Sequence, residues 1–323
     1  MSLPLITFDT ETLNPGTNIW LSTSNAVRQA LEDYGCFVVS TNKVPLGLRL
    51  NMFELSKDLF DLPTETKIKN TSHILGFGYG QYPSLPLYEC LGIENGATME
   101  AIQSLTDLLF PCGNNAFCEC ALEYMKLLSE IHLCMMRMVL DSYGITEDNE
   151  QFENGSLYLA RFMKYRAPIV GEAEIALPPH LDKSFLGILD DNGVKGFEVR
   201  MKNGEWIHHE PPSPSSTFIV VAGEPLMAWS NGRINAPLHQ VAMRTSTKEV
   251  VRYSTGLFLF MKETIQVPEK LVDNEHHLRF GPFNNMDFLK YASTKEGMSS
   301  KCAIKSYCGV ITESDTTNGN KHI

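Results

Sequence analysis

The segment PPHLDKSF, residues 178–185, sets His180 and Asp182 on either side of one leucine, just ahead of the apolar run FLGIL. In an extended chain residues two apart face the same way, roughly 6–7 Å along the strand. An imidazole and a carboxylate can therefore aim at one point, which is what a metal requires. Two ligands make a poor site. His239, in SNGRINAPLHQVAM, stands at the head of another expected strand and can supply a third. Two histidines and one carboxylate on one face leave coordination positions open, the ligand set of non-haem Fe(II) oxygenases and not of a closed structural zinc site. The spacing alone is a weak signal, because nine histidines and 38 acidic residues produce such triplets by chance.

A second pair sharpens it. Arg252 and Ser254, in VVRYSTGLF, are also two apart on an expected strand. The apolar residues that follow place this strand in the interior, where an arginine without a counter-charge is costly. A dicarboxylate ligand would resolve that cost, since guanidinium offers a two-pronged fork and the serine adds a donor. The alternative is an exposed RYS turn, which the run GLFLF disfavours. Other candidates fall away. Cys112, Cys118 and Cys120 lack the paired spacing of a zinc site. The glycines of HILGFGYGQYP are not followed by the Gly-Lys-Ser/Thr of a phosphate loop and read as a turn. His208-His209 and His276-His277 are adjacent pairs, which face opposite sides of a strand and read as surface; His132 reads as a packed or exposed histidine.

The elements that must position these residues follow from periodicity. A helix is expected over 22–34, capped by Ser22, Thr23 or Ser24 and stopped by Gly35, then a buried strand CFVVS. Further helices are expected over 46–60 and 115–143. From residue 156 short apolar segments recur between turns: LYLARFMKY, FLGILD, GFEVRM, EWIHH, TFIVVAG, LMAWSNG, LHQVAM and VVRYSTGLFLFM. Eight short strands at this spacing suggest a sandwich or barrel of jelly-roll type, and the fold expected for the chain is a mainly β core, a double-stranded β-helix (jelly-roll) barrel flanked by N-terminal and C-terminal α-helices. The expected organisation is a single structural unit over 1–323: an N-terminal helical region over 1–150, the jelly-roll core over 155–262, a C-terminal lid and helix region over 263–312, and a disordered tail over 313–323.

Composition sets the outer limits. The chain has 323 residues, 43% apolar and 20% charged, with a net charge of −11. That charge disfavours nucleic acid and anionic membranes, which reward basic patches. The N-terminus lacks the pattern of a signal peptide, and no stretch approaches the roughly 20 apolar residues of a membrane span. The expectation is a cytoplasmic monomer with reduced thiols acting on a small molecule.

With these residues in view, the sequence resembles the plant 2-oxoglutarate- and Fe(II)-dependent dioxygenases. The resemblance rests on His180-Leu181-Asp182, His239 and Arg252-Tyr253-Ser254, with ALEDYGCFVVS, LFDLPTETKIKN and SNGRI in support. MKYRAP, HLDKSF and GEWI are similar to a subgroup of glucosinolate side-chain-modifying, auxin-oxidising and steroidal glycoalkaloid-hydroxylating enzymes. It implies Fe(II) on His180, Asp182 and His239, and 2-oxoglutarate with its far carboxylate on Arg252, Ser254 and Tyr165. It also implies O2 as oxidant, stimulation by ascorbate, and release of succinate and CO2 on hydroxylation of a plant specialised metabolite or hormone such as a steroidal glycoalkaloid. The family's Asn-Tyr-Tyr-Pro segment reads Met163-Lys164-Tyr165-Arg166 here, so Met163 stands where an asparagine contacts the co-substrate. Strand parity puts Arg161 on the face of Tyr165, pointing inward toward an anionic or oxygen-rich group. Phe185, Phe258, Phe260 and Phe283 are candidate walls or lid of the substrate pocket, and equally candidate core. The competing readings are a catalytically inactive jelly-roll that binds a small ligand, and a metal oxidase that uses no 2-oxoglutarate.

Overall fold

Runs of residues buried on both faces of a strand, such as LGILDD, TFIVVA and RYSTGLFLFM, dictate a sheet covered on both sides. The computed structural model describes residues 2–74, 76–145, 152, 154–210, 216–244 and 250–310. The tail expected to be disordered, 313–323, lies outside them. The N-terminal elements are β1 (Leu5–Phe8), α1 (Asn18–Asp33), β2 (Cys36–Thr41), α2 (Leu46–Asp61), α3 (Thr64–Lys67), β3 (Tyr79–Gln81), β4 (Tyr88–Glu94), α4 (Met99–Leu109) and α5 (Asn115–Ser142). The central ones are β5 (Ser156–Tyr165), β6 (Ile175–His180), β7 (Leu186–Asp191), β8 (Phe197–Arg200), β9 (Trp206–His208), β10 (Thr217–Ala222), α6 (Glu224–Trp229), β11 (His239–Ala242) and β12 (Arg252–Met261). A small hairpin, β13 (Thr264–Ile265) with β14 (Phe283–Asn284), leads into α7 (Asn285–Ala292) and two short helices.

The strands form an eight-stranded sheet, β1-β2-β10-β7-β12-β5-β4-β3, and a four-stranded one, β6-β11-β8-β9. Pleating sorts the side chains between two cores. Phe37, Val39, Phe162, Ile188, Val220 and Leu257 join the helices α1, α2, α4 and α5 in one cluster. Val38, Met163, Leu189, Ile219 and Phe258 face the small sheet and meet its Val199, Ile207 and Val241 in another. Two facing sheets with helices outside the larger one make the jelly-roll core expected from the strand pattern; among the described residues the pairing gives two sheets and no closed barrel. No helix among them is long and apolar enough to cross a membrane.

Local departures have local causes. Helix α1 starts a turn earlier than expected: Thr17 is the cap, accepting from the Trp20 amide at 3.1 Å, and Ser24 instead bonds back to the Trp20 carbonyl at 2.8 Å. The segment LMAWSNG, expected as a strand, is mostly helix α6, because Pro225 in its first turn presets helical φ and Leu-Met-Ala propagate it. Helix α4, capped by Thr98, and the strands β4 and β6 went unrecognised in the sequence.

Candidate metal centre and co-substrate pocket

Strands β6 and β11 run antiparallel with His180 directly opposite His239. Their ring centroids lie 4.2 Å apart. Each ring holds its Nδ1 against a backbone carbonyl two residues back: His180 at 2.9 Å from Pro178 and His239 at 3.1 Å from Pro237. With Nδ1–H donating outward, Nε2 carries the lone pair, and both Nε2 atoms lie 3.7 Å from Asp182 Oδ1. The three ligand atoms are all within 4.8 Å of one another. Burial first, and then the neighbouring His239, push His180 down to about 4, which keeps its ring neutral.

Asp182 reaches this point differently from the expectation. Strand β6 ends at His180, so the carboxylate comes from the loop that follows. That loop is clamped: the Glu224 amide donates to the Asp182 carbonyl at 2.9 Å, the Gly223 amide to Phe185 at 3.1 Å, and Asn285 to Lys183 at 3.1 Å. Lys183 also pairs with the fully buried Glu224. Asp182 Oδ2 is buried and has no hydrogen-bond partner among the described residues. A carboxylate with one buried oxygen unpartnered and the other equidistant from two imidazole Nε2 atoms fits a divalent cation.

A narrow pocket lies between the two sheets, with the triad in its wall. Arg252, Ser254, Tyr165, Met163, Arg161 and Phe258 all line it. Arg252 is buried as expected but is not uncompensated, which corrects the sequence-based argument: its Nη2 lies 2.9 Å from Asp191 Oδ2, and its Nε donates to the Val194 carbonyl at 3.1 Å. The guanidinium also sits over the Tyr165 ring at 5.3 Å. Ser254 donates to the Asp190 carbonyl at 2.6 Å, and the Tyr165 hydroxyl reaches the Met163 sulfur at 3.6 Å. Burial, partly offset by Arg252, pushes that hydroxyl up to about 12, so it stays a donor.

The aromatic candidates separate. Phe258 lines the pocket, whereas Phe260 lies farther along the same face against Phe77 at 5.2 Å. Phe185 packs on the helix side against Phe152 at 5.3 Å and Trp229 at 6.2 Å, and Phe283 against Phe288 at 6.4 Å. Phe185 and Phe283 are therefore core and not pocket wall, because the clamped loop turns Phe185 toward the helices and the β13–β14 hairpin docks Phe283 there. His132 is fully buried, with Nε2 3.2 Å from the Leu186 carbonyl. His276 and His277 are exposed, as is His208, which pairs with Glu198; His209 is half-buried. Tyr88, Leu177, Leu189, Phe197 and Val241 complete the lining and escaped the sequence reading, since two of the strands that carry them were not recognised.

Comparison with known proteins accords with this geometry. Residues 154–260 match the 2OG-Fe(II) oxygenase superfamily model, and residues 3–86 match that of the non-haem dioxygenase in morphine synthesis N-terminal region. A probable 2-oxoglutarate-dependent dioxygenase of Arabidopsis thaliana, AOP1, is 38% identical over 302 residues, covering 91% of this chain and 98% of that protein. The chain belongs to the 2-oxoglutarate- and Fe(II)-dependent oxygenase superfamily. This dioxygenase is also similar in structure to the rice dioxygenase for auxin oxidation, with a TM-score of 0.79 and 25% identity over 96% of this chain and all, 100%, of that one. The Arabidopsis auxin-oxidation dioxygenase in its 2-oxoglutarate complex gives 0.75 and 28% over 85% and 99%. Fe(II) and 2-oxoglutarate are thus the cofactor and co-substrate of this enzyme.

Proposed function

We propose that this dioxygenase hydroxylates a compact plant metabolite or hormone in the pocket between its sheets, with His180, Asp182 and His239 holding iron. The observation that carries the reading is Asp182, with Oδ1 3.7 Å from both histidine Nε2 atoms and Oδ2 unpartnered among the described residues, and with Arg252 and Ser254 in the same pocket. The chemistry that Fe(II) and 2-oxoglutarate supply when bound is oxidative decarboxylation to succinate and CO2, coupled to oxidation of the substrate by O2. The chain's own part is placement. Arg252, Ser254 and the Tyr165 hydroxyl receive the far carboxylate of 2-oxoglutarate, Phe258 and the facing small sheet exclude water, and Arg161 meets a polar group from the side. Support for a small organic substrate comes from the mixed lining of the pocket, where Leu177, Leu189, Val241 and Phe258 stand among a few polar groups. The steroidal glycoalkaloid reading rests on the resemblance alone, and such a molecule would keep its sugars outside this interior. The auxin-oxidising relatives make small plant acids the first compounds to try. The enzyme is read as a cytoplasmic monomer, which eight free cysteines and the acidic surface suit.

The test is succinate formation dependent on Fe(II) and 2-oxoglutarate, with product mass recorded across a panel of plant hormones and specialised metabolites. A gain of one oxygen identifies hydroxylation; a loss of two hydrogens identifies desaturation or ring closure. His180→Ala and Asp182→Ala should lose both bound iron and turnover. Loss of turnover with full iron occupancy contradicts the ligand assignment.

A further inference from the structure

Three arginines pack against the larger sheet, and two of them, both buried, have aspartate partners. Arg49 grips Asp190 with Nε and Nη2, and Arg252 pairs with Asp191. Arg161 has none. Its register partners on both neighbouring strands are glycines, Gly92 on β4 and Gly256 on β12, so neither strand offers a side chain beside it. Its Nη2 donates to the Tyr88 hydroxyl at 2.9 Å and approaches the Cys90 sulfur at 3.4 Å. Its Nε is buried without a partner, and the Phe258 ring lies 6.0 Å from its Cζ. Burial holds the Tyr88 phenol well above its ordinary pKa, so that contact brings no negative charge. Among the described residues no carboxylate forms an ion pair with Arg161. The Tyr88 hydroxyl and the Phe258 ring offset part of the desolvation cost of this guanidinium, and among the described residues no counter-charge offsets the rest. The half-buried side chain lines the pocket that holds the metal triad.

We propose that Arg161 is the receptor for a carboxylate entering the pocket, a second anion site distinct from Arg252. Two ligands of this enzyme can supply that group. One is 2-oxoglutarate, whose metal-side carboxylate lacks the asparagine that the family places at the position of Met163, two residues along the same face from Arg161. The other is the organic substrate, if it is an acid. In either case the planar fork of the guanidinium binds the carboxylate in place of the aspartate that its two counterparts have. The inference rests on the dioxygenase reading for the identity of the ligands and not for the vacancy beside Arg161.

The experiment compares the wild-type enzyme with Arg161→Gln and Arg161→Lys, each with Mn(II) in place of Fe(II), after thermal melting has shown both variants folded. Calorimetric titration with 2-oxoglutarate comes first. The 2-oxoglutarate-saturated proteins are then titrated with a panel of plant carboxylic acids, beginning with indole-3-acetate, each beside its methyl ester. Arg161→Gln is expected to weaken one carboxylate by roughly ten- to hundred-fold, and Arg161→Lys by less. Weaker 2-oxoglutarate binding with no organic ligand present assigns the site to the co-substrate. Unchanged 2-oxoglutarate binding with loss of the preference for an acid over its ester assigns it to the substrate. The proposal is overturned if Arg161→Gln binds 2-oxoglutarate and every acid as the wild-type enzyme does. A wild-type protein that takes up no 2-oxoglutarate sinks the dioxygenase reading itself, a result distinct from any of these.

Discussion

Arg252 already touches a carboxylate before a ligand arrives, and this shapes what its substitution should do. If Arg252 receives the far carboxylate of 2-oxoglutarate, as proposed, that group has to share the guanidinium with Asp191, 2.9 Å away and nearly as buried as Arg252. Like charges at close range oppose each other. Asp191→Asn keeps the shape and removes the competing charge, so the dissociation constant for 2-oxoglutarate should fall by roughly tenfold. A constant that stays put or rises would show that Asp191 orients Arg252 without competing. Arg252→Ala should weaken 2-oxoglutarate by roughly a hundredfold or more and also cost about 3–5 kcal/mol of stability, because Asp191 is left buried and alone. Titration and chemical denaturation of the same variant check both halves. At this scale the sequence was legible wherever function needs fixed spacing, as in His180-Leu181-Asp182 and Arg252-Tyr253-Ser254. Asp191 was not, because it meets the site through the register of β7 against β12, where it lies opposite Ser254. No spacing along the chain encodes that pairing.

Individual elements act as mounts for these groups, and two can be tested as such. Helix α5 buries His132 completely, with Nδ1 unpartnered. Burial pushes its pKa from the ordinary 6.5 down to about 3. The folded state therefore holds this ring neutral while the unfolded chain protonates it. The stability linked to this difference is intact above 6.5 and drains away as the pH falls toward about 3. His132→Gln should flatten that part of the acid profile, read as the difference in denaturation midpoints between neutral and mildly acidic buffer. The second mount is the turn into α6. A side-chain carbon at Gly223 would collide with the Ser184 carbonyl, inside the loop that carries Asp182. Gly223→Ala should thus lower iron affinity as well as the melting temperature; a variant that melts early yet binds iron normally would separate the two. Long helices such as α5 were legible from their apolar stripe. Helix α6 was not, since a short apolar run bounded by turns has no readable period, and only Pro225 hints at its helical start.

For the molecule as a whole, consecutive aspartates on β7 face opposite ways and serve opposite layers. Asp191 pairs with Arg252 on the side of the small sheet. Asp190 looks out to the helices, where Arg49 of α2 and the Tyr124 hydroxyl of α5 bond it, the latter at 2.7 Å; the same hydroxyl lies 3.1 Å from Thr255 of β12. Burial lifts Asp190 to about 6 against the pull of Arg49 and Tyr124. This knot ties two helices to two central strands. Arg49→Ala should cost about 3–5 kcal/mol by stranding Asp190, and denaturation of the iron-free protein would measure it. The class of fold was legible from the recurrence of short buried strands, and the positions of His239 and Arg252 at strand heads came with it. The order of strands in the large sheet was not, because β2 reaches β10 across most of the chain and nothing local announces the partnership.

The two histidines of the metal centre owe their orientation to carbonyls of Pro178 and Pro237, not to neighbouring side chains. Main-chain oxygens cannot be exchanged by point substitution. Lineages of this enzyme can drift in the residues around the iron, and so change what they oxidise, without ever losing the lone pairs that grip it.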